Sequence, residues 1–303
     1  MKMLFNKANA AFLAILAGEL FWMPVAEKPS PYLGCFILAM HIVFLIRFRL
    51  AGGRVKKLAT DDVFFIFYLI VFVWNVCTAK LALMDSFLYP SPGLVVKLML
   101  SEIPVLMSAF VSSIALLAVG FSLALTLGVS LALIIGWSGR LYHMARPLTK
   151  ILGPIPPIVY VPYSIAILPT FRASSIFIVF IGAFWPIFIN TLNGVFSIEK
   201  GILDSARAIH VGNRNMVLHV ILPGCVPAII SGATIGLSFS FILLTSAEMI
   251  GSTNGLGWYV KYFSEFANYP KVLVGIIFIG IVVSIIMWFA GKLERHLLRW
   301  RKN

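Results

Sequence analysis

Charge is scarce in this 303-residue chain. Only 12% of its residues are Asp, Glu, Lys or Arg, where a soluble domain carries about a quarter. Acidic groups are the scarcest, with 11 Asp and Glu against 24 Lys and Arg. So few charges cannot cover a soluble surface. Disorder is excluded by the same numbers, because a disordered chain needs low hydrophobicity. The three cysteines, Cys35, Cys77 and Cys225, are far apart and form no CxxC, which argues against a disulfide framework or a thiolate metal site. The sequence also lacks GxxxxGK[ST], so it offers no phosphate cradle of the P-loop type. What it has in abundance is apolar: 60% hydrophobic residues and a mean hydropathy of +0.99. The class that fits is an integral membrane protein. The net charge of +13 then reads as loop charge on a membrane protein rather than as a nucleic-acid surface.

A helix needs about 20 mostly apolar residues to cross a bilayer. Eight runs qualify as candidate spans: 8–26, 32–48, 62–84, 104–137, 151–170, 174–196, 223–250 and 270–291. The first carries Glu19 and Pro24 and lacks a small-residue cleavage site, so it reads as a retained segment. With the N-terminus inside, all of the 24 basic residues except Lys28, Lys80, Lys97, Arg172, Lys261 and Lys271 fall in cytoplasmic stretches. The positive-inside rule therefore places both termini in the cytoplasm. The polar, basic stretch Arg47 to Asp62 separates an N-terminal two-helix hairpin with its basic linker (1–60) from a six-span body (61–303). No internal repeat is visible, which disfavours a secondary transporter built from fused halves.

The segment between the sixth and seventh spans, FSIEKGILDSARAIHVGNRNMVLHVILP, is the most informative cytoplasmic loop. Leu203, Ala206 and Ile209 recur at a spacing of three, predicting one face of a short helix, with Asp204, Arg207 and His210 pointing elsewhere. Gly212 is the expected helix stop, and Pro223 suits the first turn of the next span. From periodicity alone, a helix resting on lipid is an equal reading.

This loop resembles that of binding-protein-dependent ABC importer permeases. Their pattern is Glu-Ala-Ala, three residues, Gly, nine residues, Ile, one residue, Leu-Pro. Asp204, Ser205 and Ala206, then His210, then Val220, Leu222 and Pro223 keep that spacing with relaxed identities. YPSPGLV from Tyr89, GPIPPIVYVPYSIAIL from Gly153, FWPIFINTLNGV from Phe184, SAEMIGSTNGLGWYV from Ser246 and LERHLLRWRK from Leu293 are similar, in order, to segments of the nitrate/sulfonate/taurine-type permeases. The turn LPTFRASS departs from the family's Gly-rich, acid-bearing turn, and His210 departs at the glycine position. The resemblance covers roughly residues 88–302.

The resemblance implies an all-α polytopic transmembrane bundle: a six-helix permease core, plus two extra N-terminal transmembrane helices. It implies a bacterial inner-membrane subunit that performs no covalent chemistry and binds no cofactor itself. ATP and Mg would sit on a dimer of separate ATP-binding subunits. A second copy of the permease, an extracytoplasmic substrate-binding protein and the lipid bilayer complete the partners, with no nucleic acid. Within the loop 197–222 and the residues just beyond it, Asp204, Ser205, Ala206, Arg207, His210, Leu222 and Pro223 would couple to the ATPase, with Ser205 and Ala206 small enough for close approach. The solute would be small and anionic. A secondary transporter or channel not driven by ATP is the alternative.

Ionisable and polar groups inside spans are candidates for the pathway, because burying them is costly. Glu248, beside Ser246, either gates the path or caps the Gly251–Gly257 loop. Asn190 and Asn193, three apart on one helical face, either pack helices or line the path. Phe239 or Phe241 can form an apolar gate, with Phe241 the first candidate. Arg172 either concentrates anions at the outer mouth or anchors the interface. Lys80 is expected to snorkel outward, and Glu19 and His41 to face each other. Gly232 and Gly236 predict close helix packing.

Overall fold

The computed structural model describes residues 6–22 and 31–299. Lys2, Pro24, Lys28, Arg301 and Lys302, used above, lie outside the described residues. Every regular element described is helical. The chain divides into two compact units, Met1–Val105 with Tyr262–Phe278, and Leu106–Lys261 with Ile279–Asn303.

In the first unit, helix α1 (Lys7–Phe21) has 15 residues. At 1.5 Å per residue it is only about 22 Å long, short of a bilayer core of about 30 Å, so the span expected at 8–26 is not a full crossing within the described residues. α2 (Pro31–Leu50) and α3 (Arg54–Asn75) are long enough, and α3 runs on through a π-helical turn, Val76–Lys80. Gly53 joins them at φ +90°, a conformation that favours glycine. The start of α1 meets the start of the membrane segment of α3: the Ala8 N–H donates to Asp61 (3.2 Å) and Lys7 pairs with Asp62 (3.0 Å). The end of α1 meets the end of α3, so the two run parallel, as two helices entering from one side of a membrane must. Between them His41 of α2 stacks on Phe12 at 3.8 Å and lies 3.4 Å from the Tyr68 hydroxyl. His41 therefore does not face Glu19.

Lys80 corrects a second expectation. It is not directed outward but 2% exposed, pairing with Glu19 at 3.1 Å and donating to the Trp22 carbonyl at 2.6 Å. Asn75 also donates to Glu19, at 2.7 Å. The π-helical turn ends on Lys80. α3, which the sequence placed after the boundary at residue 60, packs in this unit with α1 and α2. α4 (Pro92–Ser101) opens on Ser91, whose hydroxyl accepts from the Leu94 N–H, with Pro92 in the first turn.

In the second unit the long apolar run at 104–137 is one helix, α5 (Ile103–Trp137, 35 residues). α6 (Gly139–Leu152) follows, then a 3-10 turn (Pro157–Val159) and α7 (Tyr160–Ile167). The segment expected to cross at 151–170 is thus broken. Pro154, Pro156 and Pro157 supply no N–H donors, so the helix cannot continue through them, and the two halves bend by 71°. Six described helices are long and apolar enough to cross a membrane, seven if the bent pair counts as one span. α8 (Phe171–Phe196), α9 (Lys200–Ala208), α10 (Asn213–Asn215) and α11 (Leu222–Gly251) come next, followed by α12 (Leu256–Glu265) and α13 (Tyr269–Leu297).

Small residues bring the main helices together. Gly120, Ala124, Gly128, Ala132 and Gly136 recur every four residues on α5, and all are buried. A Cβ on Gly120, Gly128 or Gly136 would meet Val179, Ile187 or Val195 of α8 in turn. On α8's other side, a Cβ at Gly232 of α11 would lie 2.9 Å from the Pro186 carbonyl, and one at Gly236 3.0 Å from that of Ala183. The close packing expected from Gly232 and Gly236 is what the structure shows. The α5 ladder follows the same small-xxx-small rule.

Candidate functional site

The cytoplasmic loop folds as a short helix, α9, whose two sides do different work. Ala206 is buried with Met216, Ile221 and Cys225, and Leu203, Val211 and Leu222 pack around them. Ala206 is therefore the anchor of α9 on its own unit and is not available for contact with a partner. Asp204, Ser205 and Arg207 face outward. Asp204 and Arg207 pair with each other at 3.0 Å, with side chains 67% and 62% exposed, a bond worth about 0.3–0.5 kcal/mol at most.

The helix stops earlier than Gly212. Ile209 leaves the helical face and is 76% exposed. His210 takes a left-handed backbone, φ +56°. The His210 N–H donates to the Arg207 carbonyl (2.9 Å) and the Val211 N–H to that of Ala206 (3.1 Å). This pair of bonds is the Schellman ending, in which the left-handed position is usually glycine. The position aligned by spacing with the family's glycine is thus the one whose backbone asks for it. Gly212 instead caps the start of α10 at φ −64°. His210→Gly is expected to stabilise the fold by about 1 kcal/mol, since a left-handed non-glycine residue costs about 1–2 kcal/mol. A thermal unfolding shift to higher temperature checks it; a shift to lower temperature would show that the imidazole makes a compensating contact. Leu222 is half-buried, and the exposed Pro223 sits in the first turn of α11, after a π-helical turn at Met216–Ile221.

Glu248 is 1% exposed near the end of α11. Ser113 of α5 donates its hydroxyl to one carboxyl oxygen (2.6 Å), and the Gly257 N–H donates to the other (2.8 Å). The Leu256 N–H in turn donates to Ser113 Oγ (2.9 Å). One carboxylate thus closes the 251–257 loop, caps the start of α12 and ties α11 to α5. Of the two roles left open by the sequence, the geometry is that of the cap. Gly255, at φ +132°, packs against the carboxyl group, and a Cβ there would come within 2.5 Å of it. The partner Ser113 was not singled out from sequence, because it lies 135 residues away with no motif around it.

The remaining candidates separate. Ser246 donates to the Ile242 carbonyl one turn back (2.9 Å), and Asn190 to that of Pro186 (2.8 Å). Both bonds stay within a helix, so neither is a hydrogen bond across helices. Arg172 is exposed in the first turn of α8. Phe241 is buried, and the phenylalanine that reaches open space is Phe239. Phe239 borders a cavity of about 450 Å³ at the break between α6 and α7, walled also by Pro154, Pro156, Trp185 and Leu243. No charged side chain lines it. Among the described residues no three His, Cys, Asp or Glu come together as a metal site.

Residues 124–299, more than half of the chain, match the family described as the binding-protein-dependent transport system inner membrane component. The chain belongs to this family. The permease is 30% identical to the nitrate import permease protein NrtB of Synechocystis over 183 residues, covering 60% of this chain and 66% of that protein. It is 27% identical to the taurine transport system permease protein TauC of Escherichia coli over 233 residues, 75% of this chain and 84% of that protein. Among solved structures, an inward-facing MetNI methionine ABC transporter matches with a TM-score of 0.56 at 19% identity, covering 65% of this chain and 98% of the other. That likeness shows a shared fold. This permease is a multi-pass membrane protein of the ABC importer class.

Proposed function

We propose that the permease, paired with a second copy of itself, forms the translocation pathway of an ATP-driven importer for a small anionic solute. A binding protein outside the membrane delivers the solute. The relative named for nitrate supports an anion, and the one named for taurine supports a sulfonate group. No charged side chain lines the cavity at the α6–α7 break, so selectivity would rest on the binding protein. ATP and Mg would be held by a pair of separate ATP-binding subunits, with this chain binding neither. The parallel entry of α1 and α3 and the basic loops favour cytoplasmic termini in a bacterial inner membrane.

The observation that carries the reading is the build of α9. Its apolar side is fastened to α8 and α11 by Ala206 and Leu203, while Asp204, Ser205, Arg207 and Ile209 are exposed. A short helix so held transmits a rigid-body push from a partner to the spans it joins. The test is co-purification of the tagged chain from native membranes, beside an Asp204→Lys/Ser205→Trp variant at two exposed positions. An ABC ATP-binding subunit should accompany the wild type and be lost from the folded variant. Retention by the variant, or no ATPase in any mild detergent, overturns the coupling role.

A further inference from the structure

α6 carries a charge pattern that the coupling function leaves unused. Its sequence, GRLYHMARPLTKIL, contains no acidic residue. Arg140, His143, Arg146 and Lys150 follow at steps of three, three and four, which keeps them on one face of the helix. All four are exposed, and among the described residues no carboxylate pairs with Arg140, Arg146 or Lys150. Arg146 and Lys150 are one turn apart, a like-charge placement that is unfavourable without an anion between them. The adjoining face is apolar and also exposed: Met144, Leu148 and Ile151 at steps of four and three. Beside it lies a groove of about 210 Å³ walled by Leu131, Ile135, Leu148, Phe184, Trp185 and Phe188, again with no charged group. The third face fixes the helix in place, through buried Ala145 and through Tyr142 stacked on Phe196 at 3.5 Å.

We propose that α6 and this groove bind an anionic phospholipid of the cytoplasmic leaflet. Its headgroup lies on Arg140, Arg146 and Lys150, and one acyl chain occupies the groove. The arrangement matches that ligand in charge and in amphipathic order: a cationic stripe, then an apolar stripe, then an apolar groove on a fixed helix. A small anion would use the stripe and leave the groove empty.

Trp185, in the groove wall, reports directly on an acyl chain. The full chain is placed in phosphatidylcholine bilayers containing either phosphatidylglycerol or phosphatidylcholine brominated on its acyl chains, and the Trp185 signal is taken as wild type minus Trp185→Phe. Bromine quenches indole fluorescence on contact. Brominated phosphatidylglycerol should quench Trp185 at a mole fraction at least about fivefold lower than brominated phosphatidylcholine, the effect expected of even one basic side chain at the surface. Arg140→Gln/Arg146→Gln/Lys150→Gln should merge the two curves, and Arg140→Lys/Arg146→Lys should keep them apart. Equal curves for the wild type, an unaltered preference in the triple glutamine variant, or no quenching of Trp185 by either lipid overturns the proposal. So does a stripe that shows no lipid preference but whose neutralisation releases an ATP-binding subunit or a second permease copy. The assay needs neither ATPase nor solute, so its failure is separate from failure of the coupling role.

Discussion

Glu248→Ala lowers the stability of the permease by about 2–6 kcal/mol and abolishes uptake, while Glu248→Gln keeps most of both. Alanine removes both acceptors at once. The Gly257 N–H and the Ser113 hydroxyl, buried where no solvent replaces the carboxylate, are left without their bonds, and each unsatisfied buried group costs about 1–3 kcal/mol. Glutamine keeps a carbonyl for the Gly257 N–H. Its amide can donate to Ser113 Oγ, which still accepts from the Leu256 N–H. Ser113→Ala should fall between the two. Denaturation of the purified variants and solute uptake by cells carrying them separate the outcomes. If Glu248→Gln unfolds like wild type yet loses uptake, the negative charge itself works in transport and the cap is not its whole role.

Lys80→Ala costs about 3 kcal/mol, because it leaves the Glu19 carboxylate with the Asn75 amide in place of a counter-charge. Lys80 is buried, and its ammonium is shared between the Glu19 carboxylate and the Trp22 carbonyl. Removing one partner leaves the other charge uncompensated. Removing both charges, as Glu19→Gln/Lys80→Met, should restore most of the loss, since replacing a buried pair by neutral groups is often close to neutral. A double-mutant cycle on unfolding midpoints measures the coupling. A cycle showing no coupling would mean the two side chains stabilise independently. A Lys80→Ala variant with wild-type stability but reduced uptake would move Lys80 from structure to transport.

These two residues also show where sequence reading stops. Each stood out from sequence alone as an ionisable group within an apolar run. Neither pairing did: Ser113 is 135 residues from Glu248, and Glu19, itself visible in the first apolar run, pairs with Lys80 rather than with the expected His41. A hydrogen bond between distant segments leaves no periodic trace, whereas a helix face does. Ala206 makes the same point on a smaller scale. Its place in the loop pattern was legible, but only packing against Met216, Ile221 and Cys225 shows that it anchors α9 and faces no partner.

Composition and local pattern by themselves determined the membrane class, most of the long helices, the family and the position of the cytoplasmic helix. These depend on apolar run length and on residues a few places apart. Proline spacing carried the break between α6 and α7 in plain sight, yet the hydropathy of 151–170 hid it, because hydropathy ignores missing N–H donors. The α5 ladder from Gly120 to Gly136 was equally written in the sequence, but its meaning needed the matching row on α8. Only the tertiary structure decided that His210 must adopt a left-handed backbone, that Lys80 turns inward, and that Glu248 serves as a cap. Each depends on which distant groups arrive within about 3 Å, a range set by hydrogen-bond geometry and reached only once the helices have packed.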